Sequence, residues 1–156
     1  MILSCQNIEK AFLEKQVLKN CSFHIEDYEK AAIVGLNGAG KTTLLRIIVG
    51  QLEPDGGVVA FAKDKTFGYL AQDSAVNSDN TSELTGVLKG LGFTEDEFQK
   101  PVSTLSGGQK TRVALGKLLL QKPDLIILDE PTNHLDMSSI SWLETYLLNY
   151  KGSVLI

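Results

Sequence analysis

The spacing of hydrophobic positions changes along this chain, and each change marks an element. Over residues 2–12 the alternation is weak, and a polar stretch through Glu14, Lys15 and Gln16 follows, of the kind that turns a hairpin. Over residues 17–25 a period of two puts Cys21, Phe23 and Ile25 on one face and Ser22 and His24 on the other. That pattern predicts antiparallel strands covered on one side, with His24 facing solvent. Ala31-Ala32-Ile33-Val34 is short and apolar and ends in Gly35, as a buried parallel strand would. Residues 41–49 place Leu44, Leu45, Ile47 and Ile48 at helical spacing before Gly50. After a turn cluster at residues 53–57, residues 58–61 and 66–70 read as two more strands.

The second half is richer in helix. Residues 73–82 have the composition of a loop or linker, and residues 83–91 read as a helix stopping at Gly92. Thr94-Glu95-Asp96-Glu97 has the form of a capping box opening a short helix before Pro101; Ser106 with Gln109 forms a second box, at the head of the longest helix, which runs to about Leu120. After Asp124, Leu125-Ile126-Ile127-Leu128 is a continuous apolar run suited to a strand buried on both faces. A helix is predicted over residues 137–148 with Trp142 and Leu143 on its packing side, and Ser153-Val154-Leu155-Ile156 begins another buried strand. No repeat or low-complexity tract interrupts this order.

Composition narrows the class. A chain of 156 residues suits one domain with a core that needs no staples, and 43% hydrophobic with 22% charged residues is ordinary for a soluble protein. No apolar stretch has membrane length and the first residues lack the parts of a signal peptide, so the expected setting is cytoplasmic. Cys5 and Cys21 lack metal-site spacing and read as neutral thiols in a reducing compartment. A net charge of −4, with Lys and Arg scattered singly, gives no electrostatic case for nucleic-acid binding by the chain as a whole.

The strongest chemical signal is Gly35-Leu36-Asn37-Gly38-Ala39-Gly40-Lys41-Thr42-Thr43, set between a predicted strand and a predicted helix. That context fits a phosphate-binding loop: glycines let backbone N–H groups turn inward, and the helix N-terminus adds about half a positive charge. Lys41 would reach the β- and γ-phosphates and Thr42 would ligate Mg²⁺. Asp129, at the end of an apolar strand, suits the metal; Glu130 beside it suits a base or orienting group for an attacking water. The start at Ser106-Gly107-Gly108-Gln109 reads as a second anion site or, taken alone, as a capped helix.

With these residues in view, the chain resembles the ATP-binding cassette (ABC) ATPases over essentially its whole length. The signature Leu105-Ser106-Gly107-Gly108-Gln109 and the block Leu128-Asp129-Glu130-Pro131-Thr132 stand in that family's order, and Glu130-Pro131-Thr132-Asn133-His134-Leu135-Asp136 looks like its ABC-F branch. The resemblance implies an α/β P-loop cassette with a mostly parallel core sheet, an antiparallel β layer and a reduced helical subdomain. Residues 1–72 and 123–156 would form the nucleotide-binding core, and residues 73–122 the signature subdomain. It further implies ATP and Mg²⁺ as cofactors, Phe12 stacking on adenine, Gln72 sensing Mg²⁺ and the water, and Asp136 touching a second cassette. Ser106 and Gly108 would bind the γ-phosphate held by that partner. Many members of the branch act on the ribosome; the other readings the motifs admit are the nucleotide-binding subunit of a membrane transporter and a nucleotide-gated dimerisation module with little turnover. His134 reads as a structural or interface residue.

Two departures from the family pattern carry expectations. Neither His24 nor His134 stands where the family's switch histidine would, which predicts ATP binding with poor hydrolysis. The 32 residues between Gln72 and Leu105 predict a segment shortened relative to most cassettes.

Overall fold

The computed structural model describes residues 1–71, 82–98 and 100–156. Strands β1 (Leu3–Phe12), β2 (Lys15–Ile25) and β4 (Gly56–Phe61) form one antiparallel sheet in the order β2-β1-β4. Strands β3 (Lys30–Ala31), β5 (Phe67–Leu70), β6 (Leu125–Leu128) and β7 (Ser153–Leu155) form a second, parallel sheet in the order β3-β7-β6-β5. Among the described residues four α-helices join them: α1 (Lys41–Ile48), α2 (Ser82–Gly90), α3 (Gly107–Gln121) and α4 (Met137–Leu148). No helix among the described residues is long and apolar enough to cross a membrane.

The apolar run of β6 explains the layering. All four of its residues are fully buried, and because side chains alternate across a strand they feed two cores. Leu125 and Ile127 join Leu44, Leu45, Ile47 and Ile48 of α1 and the inner face of β1 and β2. Ile126 and Leu128 join Leu88, Leu115, Leu119 and Leu143 of the helical layer on the other side. Each such side chain contributes roughly 1.5–3 kcal/mol of burial, so this four-residue strand anchors both halves.

Parallel pairing also sets the functional edge. Tyr69, Ile127, Leu155 and Ala31 lie side by side across the sheet. The carboxyl ends of their strands therefore share one side, where ligands of open α/β sheets bind. The strand expected over residues 31–34 is shorter than its apolarity suggests. Sheet pairing ends at Ala31, and only the Ile33 N–H, 2.7 Å from Ile156 O, extends it. Val34 is 88% exposed, because by then the backbone has swung into the glycine loop. The box at Thr94 forms as predicted but heads a three-residue 3-10 turn, Glu95–Glu97. His24 is exposed on β2, as expected.

Candidate functional site

Beyond β3 the chain turns through Gly38 and Gly40, with φ of +80° and +100°. At Gly40 a second constraint acts, since a Cβ would stand 2.7 Å from Val17 Cγ1 and 3.1 Å from Leu18 Cδ2. Position 40 is thus held to glycine by its own backbone and by β2 behind it. As N-cap of α1, Gly40 brings no capping side chain, and the first turn holds no acid. The opening N–H groups of α1 are therefore presented to an anion, with the positive end of the helix behind them. Lys41 Nζ lies over the loop, donating to the carbonyls of Gly35 (2.6 Å) and Leu36 (3.1 Å). The Ala39 N–H closes the loop on Leu36 O at 3.1 Å.

A cleft of about 310 Å³ is walled by Phe12, Val17, Asn37, Gly38, Gly40, Lys41, Thr42, Thr43 and Glu130. Three separate stretches meet there: the end of β1, the glycine loop and the turn after β6. Its upper wall is apolar, formed by Phe12, which is 44% exposed, and Val17. The strand end bearing Phe12 is tied down by Asp55, which accepts from Lys10 Nζ at 2.7 Å and from the Ala11 N–H at 2.8 Å. Those bonds, the Lys10 contact foremost, hold the Asp55 carboxyl below its ordinary range. Lys10 Nζ also stands 5.7 Å from the Phe12 ring centre. A larger groove of about 750 Å³ runs along α4 past Trp142, Tyr146 and Tyr150, and contains none of the motif residues.

The acids divide by environment. Asp129 is 4% exposed, and its Oδ2 is buried without a hydrogen-bond partner among the described residues. Nearby, burial first and the Asp129 charge second push the Tyr69 hydroxyl above its ordinary pKa. A buried carboxylate oxygen left in that state fits a divalent cation or its bound water. Glu130 lies at the cleft with a left-handed φ of +47°. Asn133 Nδ2 donates to Glu130 Oε2 at 2.9 Å, which orients the carboxylate.

Of the residues read from the sequence, Phe12, Asn37, Gly38, Gly40, Lys41, Thr42, Thr43 and Glu130 are brought together in one cleft. Gly35 and Ala39 shape the loop, and Asp129 lies in the buried layer at the end of β6. Ser106, Gly107, Gly108 and Gln109 do not wall that cleft; they open α3, where Ser106 and Gln109 cap each other as predicted. His134 stands beside Gly108, whose Cβ would lie 3.6 Å from its imidazole Nδ1. Asp136 caps α4, accepting from the Ser139 N–H at 2.9 Å; hydrogen bonding from Ser139 holds its carboxyl below the ordinary range. Gln72 lies outside the described residues. Val17 and the Asn133–Glu130 bond were not anticipated, although the hairpin turn after Phe12 already implied that β2 returns beside it.

Residues 18–133 match the family described as ABC transporter. The chain is 38% identical to the ribosome protection protein VmlR of Bacillus subtilis, with 98% of this chain and 30% of VmlR covered. It is 34% identical to ABC transporter F family member 5 of Arabidopsis thaliana, with 91% of this chain and 29% of that protein covered. Its structure is similar to that of cbiO1 from Clostridium perfringens, part of the transporter complex cbiONQ, with a TM-score of 0.72 and 26% identity over 99% of this chain and 77% of that one. The chain spans about a third of the length of the curated relatives it matches. Together with the glycine loop, the acid-ended strand and the capped signature helix, these matches show that the chain belongs to the ABC ATPases, in their ABC-F branch.

Proposed function

We propose that this chain is an ATP-binding cassette that holds ATP with Mg²⁺ and pairs with a second cassette to hydrolyse it, as a switch acting on the ribosome. The observation that carries this reading is the single cleft formed by Phe12, the glycine loop and Glu130. There Phe12 would stack on the base, the loop and Lys41 would hold the phosphates, and Thr42, with Asp129 at the end of β6, would hold the metal. Glu130, aimed by Asn133, would orient the attacking water. Ser106, Gly107 and Gly108 of the second cassette close over the γ-phosphate, and Asp136 meets that partner.

Kinship with VmlR, a ribosome protection protein by name, supports the ribosomal setting. The match to the plant relative runs over 202 residues although this chain has 156, so that relative carries residues with no counterpart here. With a net charge of −4 on this part, ribosome contact is assigned to such added regions or to a second cassette, in a cytoplasmic protein.

Sedimentation with and without ATP·Mg²⁺, alongside direct nucleotide binding, tests the reading. The protein and its Glu130→Gln variant should associate only with ATP. Lys41→Ala should weaken ATP binding about 10- to 100-fold, the worth of its charged hydrogen bonds. Binding without association removes the pairing step, and absence of binding removes the whole reading.

A further inference from the structure

The two helix-start boxes of the signature layer are wired in series. In the first, the Thr94 N–H and hydroxyl donate to Glu97 Oε2 at 2.9 and 3.2 Å. In the second, the Ser106 N–H donates to Gln109 Oε1 at 2.9 Å and the Gln109 N–H donates to Ser106 Oγ at 3.2 Å. The link between them is Gln109 Nε2 donating to Glu97 Oε1 at 2.8 Å, in a half-buried position. One carboxylate therefore serves the turn after α2 with one oxygen and the start of α3 with the other.

We infer that Glu97 is a positioning residue for the phosphate-contacting start of α3: it fixes which way the Gln109 amide faces, and through that amide it fixes Ser106. The inference rests on the proposed role of Ser106 and Gly108 toward a partner cassette's γ-phosphate. A glutamine amide has one donor end and one acceptor end. With Nε2 held by Glu97, Oε1 faces the Ser106 N–H; turned over, the amide would set two donors together at Ser106 and two acceptors together at Glu97. Ser106 Oγ, accepting from the Gln109 N–H, keeps its single O–H hydrogen for a phosphate oxygen. Position 97 requires an acid because both of its oxygens must accept, one from Thr94 and one from Gln109. Hydrogen bonding, from the Thr94 backbone first, holds the Glu97 carboxyl below its ordinary range, so it is ionised at neutral pH.

This logic predicts an exchange of residues. Glu97→Gln alone sets a donor against either Thr94 or Gln109. Gln109→Glu alone sets two carboxylate oxygens across the 2.8 Å now spanned by a hydrogen bond. The double variant Glu97→Gln/Gln109→Glu restores every bond with the polarity reversed: the new amide accepts from Thr94 and donates to position 109, whose other oxygen accepts from Ser106. Net charge is unchanged in the double variant.

The test uses the full chain and its three variants. Each single variant should weaken ATP-dependent pairing about tenfold, as loss of one charged hydrogen bond implies, with nucleotide binding at the glycine loop unchanged. The double variant should recover most of that loss. A second reading is taken without nucleotide: hydrogen exchange of the Ser106 amide, followed by NMR, should quicken about tenfold in both single variants and slow again in the double. Single variants with native exchange overturn the inference, as do damaged single variants that the double fails to rescue. If the unaltered protein binds ATP but never pairs, the proposed function fails, and the exchange rates alone decide the role of Glu97.

Discussion

The chemical task proposed for Glu130 falls on a residue with an unfavourable backbone. Its φ of +47° is a conformation that costs a residue with a side chain about 1–2 kcal/mol, and strain of this kind gathers at functional sites. Asn133 Nδ2 holds the carboxylate from three residues away, so the turn spends its geometry on aiming one oxygen pair. Two variants separate these effects. Glu130→Gly should raise unfolding stability by about 1 kcal/mol through relief of the left-handed strain while abolishing turnover. Asn133→Ala should keep the carboxylate but lose its aim, lowering kcat about tenfold, as loss of one charged hydrogen bond implies, with ATP affinity unchanged. Urea melts and steady-state hydrolysis check both. An equal loss of affinity and rate in Asn133→Ala would place the residue in ground-state binding instead.

Between elements, the contact of α2 with α4 depends on a missing side chain. A Cβ at Gly90 would overlap the Trp142 ring, whereas nothing lies within 4 Å of a Cβ at Gly86 in the same helix. Gly90→Ala should therefore destabilise by about 1–3 kcal/mol through overpacking, and Gly86→Ala should stabilise by about 0.5–1 kcal/mol through lower chain entropy and better helix propensity. Opposite shifts in melting temperature from the same substitution four residues apart would confirm that the ring contact decides the sign. Such a pairing was beyond the sequence, because nothing local to Gly90 marks it as facing a residue 52 positions later. Local signals did better. The 137–148 helix was legible from the placing of Trp142 and Leu143, though its Asp136 cap was not read, and β6 was legible from four apolar residues in a row. The weak alternation of β1 has its own cause: register shifts near Asn7, which itself has a φ of +50°, put Cys5 and Ile8 on the buried side three residues apart. At the site, the glycine loop and its acids were legible because each motif is contiguous. The link from Glu97 to Gln109 was not, since it joins two contiguous motifs through space.

At the scale of the whole molecule, stability should fall on both sides of a neutral plateau, for opposite reasons. Asp124 accepts from the Thr66 N–H and hydroxyl, both at 2.9 Å, and lies 3.7 Å from Lys65, which also pairs with Asp27 at 3.0 Å. These contacts, the Thr66 backbone bond foremost, depress the Asp124 carboxyl, and Asp55, Asp136 and Glu97 are depressed by their own partners. A carboxyl with a lowered folded-state pKa binds its proton more weakly in the fold than in the unfolded chain. Its stabilisation is therefore complete above the ordinary carboxylate range and is lost as pH falls through it. On the alkaline side the sign reverses. Burial pushes the Cys5 thiol up to about 12 from an ordinary value near 9, and burial likewise pushes the Tyr150 hydroxyl, which donates to Pro123 O, up to about 12. The unfolded chain releases these protons first, so stability holds below about pH 9 and declines between 9 and 12. Urea midpoints measured from pH 3 to pH 11 should trace this plateau with two limbs. Asp124→Asn should make the acid limb shallower by its own share of the four carboxyls and leave the alkaline limb in place, whereas Cys5→Ala should make only the alkaline limb shallower, Tyr150 keeping the rest, and lower the plateau by the lost packing. If Asp124→Asn moved both limbs together, the acid sensitivity would belong to general charge repulsion and not to these named carboxyls.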